Sequence, residues 1–198
     1  MIAIIDYGMG NLRNVYKALE SIGVEAVITS NPKVIKASSK VILPGVGAFK
    51  EAISTLHDTG LKEVISESVE SGKPLLGICL GMQLLFETSY ENGHHRGLGL
   101  LPGEVIKLDV PLKVPHMGWN KIAVIKEAPI FDGISNGAYA YFVHSYHMEG
   151  PQEIISAYTT YGKKIGIAVQ KENIYGLQFH PEKSGEVGLT MLKNFASL

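Results

Sequence analysis

The sequence predicts an α/β protein: a doubly wound, mostly parallel sheet with helices on both faces and further mixed or antiparallel strands in the C-terminal half. Three observations predict it. Short, continuously apolar runs alternate with apolar residues at helical spacing through the first half of the chain. Those runs lack a polar face, as strands covered on both sides do. Beyond residue 100, strand-like runs follow one another across turn residues with almost no helical period between them.

Taken in order, residues 1–5 (Met-Ile-Ala-Ile-Ile) form a buried strand that stops at Asp6-Tyr7-Gly8. Leu12, Val15, Tyr16, Leu19 and Ile22 recur at helical spacing and end at Gly23, a suitable C-terminal cap. Residues 24–28 and 41–43 are the next strands, the latter closed by Pro44-Gly45. Helical spacing returns in Phe49, Ala52, Ile53 and Leu56, then in Leu61, Val64, Ile65 and Val69, with Gly72 after them. Residues 74–78 are a fourth apolar run, and Met82, Leu84, Leu85 and Phe86 open another helix near Gly81. Strand-like runs follow at 104–108, 121–125, 139–144, 154–158, 165–170 and 174–178, and residues 186–196 read as a closing helix.

The 198 residues suit a single domain, 1–198, with no linker or repeat. Eighteen basic and nineteen acidic side chains leave a formal charge of −1, which provides no electrostatic footprint for nucleic acid or an anionic membrane surface. No apolar stretch reaches the ~20 residues of a membrane helix. Residues 1–5 are too short a run, wrongly flanked, for a signal peptide. One cysteine permits no internal disulfide and no thiolate-rich zinc site, so a cytoplasmic setting is expected.

That cysteine stands in the most informative stretch, Gly77-Ile78-Cys79-Leu80-Gly81-Met82-Gln83. A strand ends at Ile78, a helix follows, and Cys79 occupies the sharp turn between two glycines. This is the strand–nucleophile–helix arrangement of G-x-S-x-G hydrolases with sulfur in place of oxygen. The glycines relieve crowding in a tight turn, and a helix N-terminus favours the thiolate. The alternative is a small buried hydrophobe at a strand end.

The segment Gln178-Phe179-His180-Pro181-Glu182 supplies a base. Proline holds His180 extended, and residues two apart on an extended segment point the same way, so His180 and Glu182 lie side by side. A carboxylate beside an imidazole fixes its tautomer and stabilises the imidazolium. Both motifs end strands, where reactive groups gather in a doubly wound sheet. Gly45-Val46-Gly47 follows a neighbouring strand, and its flanking glycines let the Val46 peptide adopt either orientation. Together with the Leu80 N–H it can hold an oxyanion.

Other motifs carry less. His94-His95 sits in a glycine-flanked loop without cysteine or dense carboxylates, so no metal site is expected. His144 and His147 are three apart, on opposite faces of a strand, and make a poor chelate. Gly8-Met9-Gly10 starts like a dinucleotide loop, but Arg13 stands where the third glycine belongs. No cofactor is expected.

The cysteine turn and His180-Pro181-Glu182 resemble the class I (triad) glutamine amidotransferases. Within them, four segments are similar to the branch that forms the glutaminase subunit of imidazole glycerol phosphate synthases. These are Ile5-Asp6-Tyr7-Gly8-Met9-Gly10-Asn11-Leu12, Pro44-Gly45-Val46-Gly47, Pro115-His116-Met117-Gly118-Trp119-Asn120 and Tyr141-Phe142-Val143-His144-Ser145-Tyr146. The resemblance implies that Cys79 attacks the side-chain amide of glutamine, His180 moves the proton and Glu182 orients His180. It implies oxyanion donors at Leu80, Val46 and Gly47, and substrate contacts at Gly45, Gln83, Glu91, Ser145 and Tyr146. It further implies a (β/α)₈ cyclase partner in a heterodimer, consuming ammonia in histidine biosynthesis, with Asn11, Trp119, Asn120 and Tyr141 facing it. Asn14 stands where many relatives have serine, and the loop around Glu91 is more basic than in many of them. Two rivals share these residues: supply of ammonia to another synthase, such as one making amino sugars, and a catalytically silent binding module.

Overall fold

The computed structural model describes residues 1–198, and its elements follow the apolar pattern closely through the first half. Strand β1 (Ile2–Ile5) is buried on both faces. Helix α1 (Leu12–Ser21) turns Val15, Ala18 and Leu19 inward and ends before Gly23, whose φ of +74° suits the left-handed cap. Strand β2 (Ala26–Thr29), helix α2 (Pro32–Ala37), strand β3 (Lys40–Gly45), helices α3 (Phe49–Asp58) and α4 (Leu61–Glu70), strand β4 (Leu75–Cys79) and the one-turn helix α5 (Leu80–Gln83) complete this half. Strands β5 (Phe86–Ser89), β6 (His95–Arg96), β7 (Leu101–Lys107), β8 (His116–Lys121), β9 (Ala123–Val124), β10 (Tyr139–His144), β11 (Tyr146–Glu149), β12 (Ile155–Tyr161), β13 (Lys163–Lys171) and β14 (Ile174–Leu177) follow, and helix α6 (Gly185–Ser197) closes the chain.

The main sheet has eight strands in the order β2-β1-β3-β4-β14-β13-β12-β9. Pairing is parallel from β2 to β14 and antiparallel from β14 to β9. Successive residues serve opposite cores: Ile2 and Ile4 pack with Leu19, Met191 and Phe195, whereas Ala3 and Ile5 pack with Phe49, Leu56 and Ile65. A second sheet, β11-β7-β5-β6, and the antiparallel ribbon β8–β10 flank the main one. Register places the chemistry: Gly45 pairs with Cys79 and Leu177 with Ile78, so β3, β4 and β14 all deliver their C-terminal ends to one edge.

Several expectations are corrected. The helix expected to run through Phe86 stops after one turn, because the carbonyls of Leu84 and Leu85 accept N–H groups from Leu98, Leu100 and Leu101 and Phe86 enters β5. Its apolar run has no polar face for a solvent-exposed helix. The strand expected at 121–125 divides: β8 ends at Lys121 and β9 is only two residues. Helix α2 is an addition, started by Asn31, whose Oδ1 accepts the Lys33 N–H at 2.9 Å, with Pro32 at its first position. His144 and His147 do not share a strand; Ser145 separates β10 from β11, and both histidines are buried. His95 leaves the expected loop: it is half-buried and, in β6, pairs with Ser89.

Close backbone packing holds the cysteine turn. A Cβ at Gly81 would overlap the Leu43 backbone carbonyl, and one at Gly77 would lie 2.7 Å from the Met82 Cα. Gly81→Ala is therefore expected to destabilise the protein by ~3 kcal/mol. A thermal melt checks this, through a fall in Tm of roughly 10 °C for a chain of this size.

Candidate active site

Cys79 ends β4 at φ +55° and ψ −113°, a region that costs a residue with a side chain ~1–3 kcal/mol. The surrounding structure enforces it: Gly45, Gly77 and Gly81 are packed so that none accepts a Cβ, and one built on Gly45 would lie 2.7 Å from the Tyr7 hydroxyl. Tyr7 in turn donates to the Pro44 carbonyl at 2.9 Å. The thiol points toward the Val143 carbonyl, 4.0 Å away. Since α5 is a single turn, its dipole adds less at the sulfur than a full helix would.

His180 follows β14 and keeps the extended conformation expected before proline, with φ −98° and ψ 98°. Its N–H donates to the Tyr141 carbonyl at 3.0 Å, and its carbonyl accepts the Ser184 hydroxyl at 2.6 Å. Its Nδ1 lies 2.8 Å from Glu182 Oε1, both side chains being buried. The two come together through a 3₁₀ turn over Pro181–Lys183, rather than through the strand alternation that their spacing suggested. Glu182 accepts, so Nδ1 carries the proton. The opposite Nε2 is buried and has no hydrogen-bond partner, and His180 lines one cavity with Cys79. Burial alone lowers the imidazole pKa, but Cys79 and Glu182 outweigh it and hold the group up to about 10. His180 is thus an imidazolium across the neutral range.

The cavity has a volume of about 310 Å³. Val46, Gly47, Leu80, Gln83, Glu91, Ser145 and Tyr146 also line it, which brings together all but one of the oxyanion and substrate positions expected from sequence. Gly45 lies just behind the cysteine turn. Val46 and Gly47 are exposed at the mouth, Gly47 with φ +102°. Glu91 accepts the Phe49 N–H at 3.0 Å, so it closes the open N-terminus of α3 while facing the cavity. Burial first, then repulsion from Glu51, pushes its pKa up against that bond. Gln83 spends its amide protons on Tyr146 O and Gln178 Oε1, each at 3.0 Å, and its own oxygen has no partner in the protein.

Two neighbours of the sulfur lay outside the sequence-derived set. Gln178 Nε2 is 3.8 Å from Cys79 Sγ, and its period-two relation to His180 on the same extended segment was the available signal. Tyr7 is the other; burial, then the charge of Cys79, raises its pKa. The remaining candidates stand outside the cavity. Trp119 and Tyr141 are opposite each other in the β8–β10 ribbon, edge to face at 6.1 Å. Exposed Met117, Trp119 and Tyr139 and half-buried Tyr141 form one apolar face. Asn120 differs: its side chain turns inward, donating to His116 and to the Thr160 carbonyl. Asn11 precedes α1 without capping it through its side chain.

Residues 3–197 match the family model "Glutamine amidotransferase class-I". The imidazole glycerol phosphate synthase subunit HisH of Bacillus cereus (strain B4264) is 54% identical over 195 residues, covering 98% of this chain and 93% of that protein. HisH of Caldanaerobacter subterraneus subsp. tengcongensis is 53% identical over 199 residues, covering 100% of this chain and 98% of its own length. Among solved structures, a glutamine amidotransferase superposes with a TM-score of 0.77 at 20% identity over the full length of both chains. PurLQS from Thermotoga maritima superposes with a TM-score of 0.76 at 19% identity, covering 99% of this chain and 97% of that one. These two likenesses concern the fold. With the cysteine turn and the His180–Glu182 pair on one edge of that fold, the chain belongs to the class I glutamine amidotransferases and, within them, to the HisH subunits of imidazole glycerol phosphate synthase.

Proposed function

We propose that this chain hydrolyses glutamine through a Cys79 thioester and passes the ammonia to a (β/α)₈ cyclase subunit that makes imidazole glycerol phosphate in histidine biosynthesis. The observation that carries the reading is the shared cavity of Cys79 and His180, with Glu182 buried behind the imidazole. An imidazolium beside the sulfur favours thiolate, which attacks the carboxamide carbon. The oxyanion falls to the Leu80 N–H and the Val46–Gly47 peptide. His180 gives its Nε2 proton to the departing nitrogen, and the C–N bond breaks to leave ammonia and the γ-glutamyl thioester. Water then gives a proton to His180 and attacks the thioester carbon; glutamate leaves and the sulfur is restored.

Gln83, Glu91, Ser145 and Tyr146 are the polar partners proposed for the substrate's amide, amino and carboxylate groups. The apolar face of Met117, Trp119, Tyr139 and Tyr141 is proposed to seat the cyclase, with Asn11 at its margin. Ammonia released into water is protonated and lost to the acceptor reaction, so the docked partner is part of the function. Domain boundaries at 1–198 and action in the cytoplasm complete the proposal.

Co-expression with the cyclase and a glutaminase assay test it. The expected result is a stable heterodimer in which glutamine turnover exceeds that of the free chain by ~10²–10³, the value of one oxyanion donor brought into line at Val46–Gly47. Equal turnover with and without the partner, or no heterodimer, contradicts it.

A further inference from the structure

A single backbone atom orders the polar groups behind the cavity. The Tyr146 carbonyl, which can only accept, takes Gln83 Nε2 at 3.0 Å and His144 Nδ1 at 2.9 Å. Everything further out follows from that constraint. Along one arm, the second proton of Gln83 Nε2 goes to Gln178 Oε1 at 3.0 Å, which leaves the Gln178 amide N–H aimed at Cys79 Sγ, 3.8 Å away. Along the other, His144 is protonated on Nδ1, so its bare Nε2 accepts from His116 Nδ1 at 3.0 Å. His116 Nε2 is then bare as well and accepts Asn120 Nδ2 at 3.2 Å. Asn120 ends the chain fully occupied: Nδ2 also donates to the Thr160 carbonyl at 3.0 Å, and Oδ1 accepts the Lys121 N–H at 2.8 Å.

The array is rigid and uncharged. His116 stacks on Phe142 and on Tyr161, with ring centroids 4.7 and 4.1 Å apart. Burial lowers His116 to about 4 and, against the bond to Tyr146, His144 to about 3, so both rings are neutral where the enzyme works. His116, Asn120 and His144 all lie on the inner face of the β8–β10 ribbon, whose outer face carries Trp119 and Tyr141.

We propose that Asn120, His116, His144, Gln83 and Gln178 act as one hydrogen-bonded array of positioning residues that delivers an N–H to the Cys79 sulfur and ties its placement to the ribbon. The proposal rests on the reading of Cys79 as nucleophile and deepens it. An N–H donor stabilises a thiolate more than a thiol. Beside the direct approach of the Val143 carbonyl to the thiol, these links give a displacement of the ribbon a second, hydrogen-bonded route to the sulfur, because Tyr146 O joins both arms.

The test uses the full chain, whose only cysteine is Cys79, so alkylation by iodoacetamide reports on that sulfur alone. Gln178→Leu is expected to slow alkylation near neutral pH about tenfold and raise the midpoint of its pH profile by about one unit. His144→Phe and Asn120→Leu, which break the far arm, shift rate and midpoint in the same direction by a smaller factor. Superimposable profiles for Gln178→Leu and the unaltered chain overturn the proposal. So does a Gln178→Leu effect with none from Asn120→Leu or His144→Phe. Nitrogen-15 NMR of the unaltered chain needs no variant: both His116 and His144 are expected to carry their proton on Nδ1, and an Nε2 proton on either overturns the array. Neither readout involves glutamine, so loss of turnover with these signatures intact counts against the functional reading alone.

Discussion

Cys79→Ser in the heterodimer is expected to lower glutamine turnover by ~10⁴–10⁶, the scale on which a nucleophile's removal is felt in a triad enzyme. A hydroxyl fits the site that holds the thiol, so fold and partner binding should survive; circular dichroism and gel filtration check both. Serine fails chemically. A hydroxyl keeps its proton far above neutral pH and is a much weaker nucleophile than a thiolate, so residue 79 no longer attacks the amide carbon at a useful rate. Ammonia release with glutamine as the sole nitrogen source measures the effect. With free ammonia supplied at high pH, the cyclase in the same complex should still turn over, which separates lost glutaminase chemistry from a damaged complex.

Glu182→Gln is the second large effect. The Glu182 carboxylate accepts from His180 Nδ1 at 2.8 Å and leaves Nε2 facing the cavity. An amide at that position can present N–H to the ring and favour the opposite tautomer, with an expected loss of ~10³–10⁴ in kcat. It also removes one of the two influences that hold the imidazolium against burial. The linkage has a definite sign. A histidine raised from 6.5 to about 10 contributes stability that is complete below pH 6.5 and is lost as the pH rises through about 10. Denaturant unfolding should therefore show this contribution declining across that window, and Glu182→Gln should lower its upper edge. An NMR titration of the His180 ring that gives the same midpoint with Gln as with Glu at 182 contradicts this account.

The parallel half of the fold is legible because its strands are buried on both faces and each is followed by a helix with one apolar side. The later strands are harder to read. In β8 only His116 is buried, and its neighbours Met117 and Trp119 are exposed apolar residues, the reverse of an ordinary surface strand. Such a face suits the partner surface proposed for it, which local sequence does not contain. Phe86 departs from its helical pattern for another reason: an apolar run without a polar side suits a helix or a strand, and contacts with Leu101, fifteen residues on, decide between them. At the site, Cys79, His180 and Glu182 are legible because glycine and proline mark the turns that hold them. Gln178 is not, since its value lies in reaching the sulfur and Gln83 at once, a long-range meeting. Asn120 shows the opposite limit: its place in the motif suggested a surface contact, while strand alternation turns its side chain toward His116.

The central claim is that the sulfur of residue 79 is the atom acylated by glutamine. Its most direct measurement is labelling of the heterodimer with an electrophilic glutamine analogue, followed by peptide mass spectrometry and residual glutaminase activity. The account predicts one label per chain on Cys79, protection by glutamine, and activity lost in proportion to labelling. Undiminished turnover after Cys79 is fully modified would contradict it.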